Sequence, residues 1–178
     1  MRIISSKLFV CLSMLLACLA ATAQTQVFTV KFPADADLAG WKVLVDPLNP
    51  GVKSDALEMK AAGNTFSCDV TPSAIGIYEV VCIKDQTQIF ANVYSDKAEN
   101  LVVPVRMEGK NLVADNNENN KALTAFGRIS KESNMRLWSY SSDDAEYAKA
   151  LLMSIQTRTD SVLNVHKCSP DVEKYIRI

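Results

Sequence analysis

The hydrophobic rhythm of the chain changes once. From residue 26 to about 113, apolar side chains fall at every second position in short runs. Beyond about 120 they recur every third or fourth position. Gln26 to Phe32 places Phe28, Val30 and Phe32 on one face, the period of a half-buried strand. Trp41 to Asp46 is a second run, stopped by Pro47, Pro50 and Gly51. Leu57–Ala61 and Thr65–Val70 flank Ala62-Gly63-Asn64, a hairpin signal, and Phe66, Cys68 and Val70 share a face. Gly76 to Lys84 is apolar on both faces, which predicts a central strand. Gln88–Tyr94, Leu101–Met107 and a short Asn111–Val113 complete the β pattern.

Asp115 to Asn120 is a polar hinge. Lys121 to about Tyr140 then carries Leu123, Phe126, Ile129, Leu137 and Trp138 as a helical stripe. Ser141-Ser142-Asp143-Asp144 reads as a second helix start. Ala148, Leu151, Leu152, Ile155, Val162, Leu163 and His166 follow at helical spacing. Ser169-Pro170-Asp171 opens a third helix, with Ser as cap and Pro at the first position. The pattern predicts an α+β fold: an antiparallel β-sandwich of about seven strands over 24–114, followed by an α-helical segment over 115–178.

The first residues read as an address. Arg2 and Lys7 precede an apolar run from Leu8 to Ala20, too short for a membrane span of ~20 residues. Ala21-Thr22-Ala23 then gives a cleavage pattern between Ala23 and Gln24, so 1–23 reads as a signal peptide. A competing reading takes Leu15-Leu16-Ala17-Cys18 as a lipobox, with lipid on Cys18. The apolar run continues past Cys18 and the A-T-A-Q site is well formed, which favours soluble export to the periplasm or cell envelope. A membrane partner follows only if Cys18 is lipidated.

Net charge sharpens the function classes. The 178 residues are 48% hydrophobic and 22% charged, with a formal net charge of −1. Neither an unaided nucleic-acid binder, which needs a basic excess, nor a disordered chain has that balance. His166 is the only histidine, so a multi-histidine metal site is impossible within one chain, and no cofactor or metal is expected. Outside the signal, the cysteines are Cys68, Cys82 and Cys168, with no C-x-x-C spacing.

Each candidate site has a plainer alternative. Asp115 to Asn119 imitates a calcium loop, but its sixth and twelfth positions hold Asn120 and Phe126 instead of Gly and Glu; Asn120 is expected to cap the next helix. If Cys68 and Cys82 lie on one hairpin they are four residues out of register, ~13 Å apart, too far for a disulfide. Strands crossing between sheets would change that geometry. Cys168 precedes a helix N-terminus, where the dipole favours thiolate, while His166 is on a different face. Trp138 with Tyr140, or Trp41 with Tyr94, could stack a sugar, although such aromatics more often pack. Asp143-Asp144 fits helix capping better than glycoside chemistry, and Asp160-Ser161-Val162 matches a short O-glycosylation pattern only weakly.

Gly63 to Val70 reads G-N-x-F-x-C-x-V, and Gly76 to Val80 reads G-I-Y-E-V. Val102 to Val105 (VVPV), Asn120 to Leu123, Asp160 to Asn164 and Lys167 to Val172 continue the series. In this order the motifs resemble the N-terminal sandwich and helical segment ahead of the thioredoxin domain in TlpA-like thiol-disulfide oxidoreductases of Bacteroidetes. The resemblance implies a non-catalytic accessory or positioning region, its partner a downstream thioredoxin-like domain or a protein client. The family's catalytic C-x-x-C has no counterpart here, so no catalytic residue is carried over and this chain is not expected to be an enzyme. A free-standing envelope module for glycan or peptide is the alternative. The nine residues from Pro170 are too few for a free helix. The helical segment is therefore expected to be incomplete and loose at its end. Tyr175, Ile176 and Ile178 would then form an exposed apolar interaction surface prone to self-association.

Overall fold

A computed structural model describes residues 25–49, 51, 54–96, 100–138 and 145–177. The proposed cleavage site at Ala23 and Gln24, the lipobox at Cys18, and Tyr140, Asp143, Asp144 and Ile178 lie outside the described residues. The strands are β1 (Gln26–Lys31), β2 (Lys42–Pro47), β3 (Leu57–Glu58), β4 (Lys60–Ala62), β5 (Thr65–Val70), β6 (Ile77–Lys84), β7 (Thr87–Tyr94), β8 (Asn100–Pro104), β9 (Arg106–Glu108) and β10 (Asn111–Val113). The helices are α1 (Glu118–Trp138), α2 (Ala145–Val165) and α3 (Pro170–Ile176). The fold is α+β, as the change of period predicts.

Alternation along the strands builds two facing sheets. One has the order β4-β5-β1-β8 and the other β3-β2-β6-β7. Phe28, Val30, Phe66 and Val103 from the first meet Val43, Val45, Val80, Cys82 and Ala91 from the second, all buried in one cluster. Each of the Val and Phe side chains contributes roughly 1.5–3 kcal/mol on burial. The chain changes sheet at Met59, which is buried and donates its N–H to Val43 O. That switch splits the expected single run over Leu57–Ala61 into β3 and β4. With the β9–β10 hairpin, it accounts for ten strands instead of about seven. The sandwich also departs from pure antiparallel pairing. Phe28 lies beside Leu101 in a parallel β1–β8 pair, which the long connection between the two strands permits.

Pairing puts β6 between β2 and β7, the central place predicted by its two apolar faces. Tyr78, Val80 and Cys82 face the sandwich core. Ile77, on the opposite face, founds a second cluster with Ala122, Leu123, Val172 and Ile176. The helices therefore close a small core on the outer face of the second sheet. Gly76 makes the entry to β6 possible. Its φ is 69°, and a Cβ there would fall 2.5 Å from Ser95 O. Inside the sandwich, Tyr78 Oη donates to Gln26 Oε1 at 3.1 Å and accepts from Ser73 N at 3.2 Å.

The expected C-terminal patch does not form as an exposed surface. Ile176 is 3% exposed and Val172 fully buried. The Tyr175 ring meets Phe126 edge-on, and its hydroxyl accepts from Asn92 Nδ2 at 2.9 Å. Ser169 caps α3 by accepting from Val172 N, so a seven-residue helix lies docked where sequence reading leaves it loose. A short helix forms here because tertiary burial of Val172 and Ile176 replaces the missing length.

Candidate functional site

The three thiols are kept apart and protonated. Cys68 and Cys82 are free and sit in opposite sheets, because β5 pairs with β1 and β4, not with β6. The hairpin geometry expected for them is therefore corrected. Burial, and secondarily Asp69, pushes the Cys68 thiol up to about 11. Burial alone pushes Cys82 up to about 12. Cys168 also moves up, through burial first and then Glu173 and Glu118. Its Sγ donates to His166 O at 3.3 Å. The pull of the helix N-terminus toward thiolate at Cys168 is opposed by partial desolvation and by the nearby acids. His166 Nδ1 meets Glu118 Oε2 at 2.9 Å, which leaves it a rim histidine.

The asparagine-rich hinge is a structural knot. Asn117, not Asn120, caps α1: its Oδ1 accepts from Asn120 N at 2.8 Å. Asn120 is fully buried, accepts from Tyr94 N at 2.7 Å and donates to Asn116 Oδ1 at 2.7 Å. Asn119 Oδ1 accepts from Ser169 N at 2.7 Å. Asp115 pairs with Arg106. One loop thus ties the end of β7, the start of α1 and the start of α3, which accounts for these side chains without a cation. Trp41 packs on the sandwich core and Tyr94 on the second cluster, so they do not form one platform.

A different region has the shape of a site. At 100° per residue, Asn120, Thr124, Gly127 and Lys131 share one strip of α1. That strip lies along β7 and β10. Thr124 Oγ1 donates to Ala114 O at 2.7 Å. Lys131 Nζ donates to Lys110 O at 3.1 Å and to Asn111 Oδ1 at 2.9 Å. Arg128 reaches Glu108 at 3.1 Å. Between these staples Gly127 has no side chain, and a Cβ built there meets nothing within 4 Å. The gap is a cavity of about 120 Å³ floored by Ile89, Leu112 and Leu123. A neighbouring hollow of about 360 Å³ lies against Phe90, Phe126, Met135 and Tyr175. Asn92, Gly127 and Lys131 border both. Asn92 Oδ1 is buried without a hydrogen-bond partner among the described residues, an arrangement uncommon in folded proteins.

On the far side of Asn92, Glu79 stands opposite Asp46 across the β2–β6 pair. Burial first, and Asp46 second, hold the Glu79 carboxyl above its ordinary value. Sequence reading missed the α1 strip. Its signal is a polar row at four- and three-residue spacing, interrupted by a glycine in mid-helix. No protein-family model matches the chain, and no curated protein matches it either.

Proposed function

We propose that this chain is the accessory, non-catalytic region of an exported, envelope-located thioredoxin-like disulfide reductase, positioning the redox domain or its client. One observation carries the reading: the α1–α2 pair presents large apolar side chains to solvent. Of the 21 residues of α2, only Leu151 and Thr159 are buried among those described. Leu152 and Met153 are 62% and 60% exposed, and Met135 on α1 is 63% exposed. We take these side chains as the surface that would meet the redox domain or its client. The raised thiols agree with a role outside the chemistry, since the thiolate is the attacking species in disulfide exchange. The test is the reading frame beyond codon 178. The proposal requires a thioredoxin-like sequence with C-x-x-C in frame; a stop codon followed by no such sequence contradicts it.

The second reading, an envelope binding module, draws on the two cavities beside α1. A peptide ligand suits their chemistry better than a glycan, because the smaller one is floored by aliphatic side chains.

A further inference from the structure

We propose that α3 is a pH-sensitive latch, closed over a pair of like-charged carboxylates and loosened when Glu79 ionises. The proposal rests on the docking of α3 and is independent of the thioredoxin-linked role.

The latch is built on a row of side chains across one sheet. Strand pairing sets Asp46 on β2 opposite Glu79 on β6, and Glu79 opposite Asn92 on β7. Directly opposed residues share a face, with Cβ atoms ~5 Å apart. The face is the outer one, since Val45, Tyr78, Val80, Ala91 and Val93, their neighbours along the strands, belong to the sandwich core. On β6 the same face carries Ile77 and Val81, both buried. Glu79 is therefore flanked by covered apolar positions.

α3 lies against that row. Val172 and Ile176 share one buried cluster with Ile77, and Tyr175 Oη accepts from Asn92 Nδ2 at 2.9 Å. Burial first, and the Glu79 charge second, push the Tyr175 hydroxyl up, which puts the two groups within reach of each other's field.

Counter-charge is missing from the strip. From β2 the charged group facing Glu79 is Asp46, whose carboxylate accepts from Ser54 Oγ. β7 brings the neutral Asn92 amide and, opposite Ile77, Tyr94. On α3, beside Tyr175, Asp171, Glu173 and Lys174 are exposed, and Arg177 pairs with Glu173 and Asp160. α1 meets α3 through Phe126, and its Glu118 is paired with Lys121 and His166. Among the described residues, no cation lies within ion-pair distance of Asp46 or Glu79. A proton on Glu79 is then what neutralises the pair.

The sign follows from linkage. With α3 docked, burial first and Asp46 second hold the Glu79 carboxyl above its ordinary 4.5. With α3 lifted, the carboxyl meets water and returns toward that value. Below pH 4.5 both forms carry the proton, and docking is undisturbed. As pH rises through the raised value, ionisation favours the open form and docking weakens. The Arg177 pairs run the other way, because their acids are neutralised as pH falls. The Glu79 contribution is therefore read as the difference between wild type and Glu79→Gln. The latch sets how much of the apolar surface around Ile77 and Leu123 is open at a given pH.

The experiment follows amide hydrogen exchange by NMR in the full chain, wild type and Glu79→Gln, at pH 4 and pH 7. Each rate is corrected for the intrinsic exchange rate at that pH. The α3 reporters are the N–H groups of Glu173 and Arg177, which bond Ser169 O and Glu173 O; those of Val80 and Val81 report the sandwich. At pH 7, Glu79→Gln should protect the α3 amides about two- to threefold more than wild type, the scale of one like-charge cross-strand pair. At pH 4 the two proteins should agree. Wild-type α3 should exchange faster than β6 at both pH values, as a latch that opens on its own. A gain of equal size at both pH values, or no gain at either, overturns the role of ionisation. A gain at Val80 and Val81 with none in α3 makes the acid pair a property of the sandwich and overturns the latch. Equal protection of α3 and β6 means that α3 opens only with the whole fold, and overturns it too.

Discussion

Three residues set the balance of the outer sheet face and the hinge. Glu79 is held above its ordinary value of 4.5 by burial and by Asp46. Below pH 4.5 the folded and unfolded chains both carry it protonated, and it costs nothing. As pH rises through the raised value the unfolded chain ionises more easily, so stability is lost. Glu79→Gln should therefore raise stability at neutral pH by about 0.5 kcal/mol, the scale of one like-charge cross-strand pair. Urea melts at pH 4 and pH 7 would check this. A gain of the same size at both pH values would contradict it. Glu118 has the opposite sign, held down first by Lys121 and then by His166, so its contribution fades as pH falls. Asn120→Ala should cost about 2 kcal/mol, because it leaves the Tyr94 N–H without its acceptor. Equilibrium denaturation measures that directly. A loss below the error of the melt would mean that water replaces the side chain.

At the scale of elements, α1 and α3 behave differently from what isolated helices would do. Gly127 sits in mid-helix with open space where a Cβ would go. Gly127→Ala should stabilise the chain by up to ~1 kcal/mol, read as a higher urea midpoint at unchanged slope; an unchanged or lower midpoint would mean that the backbone needs glycine there. Ile176→Ala should cost ~2–4 kcal/mol and raise amide exchange throughout Pro170–Ile176. Wild-type α3 should exchange more slowly than the exposed outer turns of α2, and the reverse order would mean that its docking is transient. The strands and helices were legible because period two and period 3.6 are written in Phe28, Val30 and Phe32 and in Leu123, Phe126 and Ile129. The docking of α3 was not. A seven-residue helix with Val172 and Ile176 looks unfinished until Ile77 and Leu123 supply its cover. The cap was misplaced from Asn117 to Asn120 for a related reason. Both are good capping residues, and only the arrival of Tyr94 from β7 decides which one goes inside. The cavity stayed hidden because it is made by three distant segments around one missing side chain.

The whole molecule joins a closed sandwich to a helical layer that is covered on one side. Cys82 lies in the sandwich core, Cys68 at its edge and Cys168 beside the second cluster. No two of them are placed to attack and resolve a mixed disulfide. Leu152 and Met153 on α2 and Met135 on α1 are exposed and take no part in that small core. The claim at stake is that this chain takes no chemical part in disulfide exchange. The most direct measurement is insulin reduction by dithiothreitol, followed by turbidity, with and without the chain from Gln24 onward. The account predicts the same rate in both. An acceleration that disappears in Cys168→Ser would contradict it, since it would require a reactive thiolate where burial and two nearby acids hold the thiol protonated.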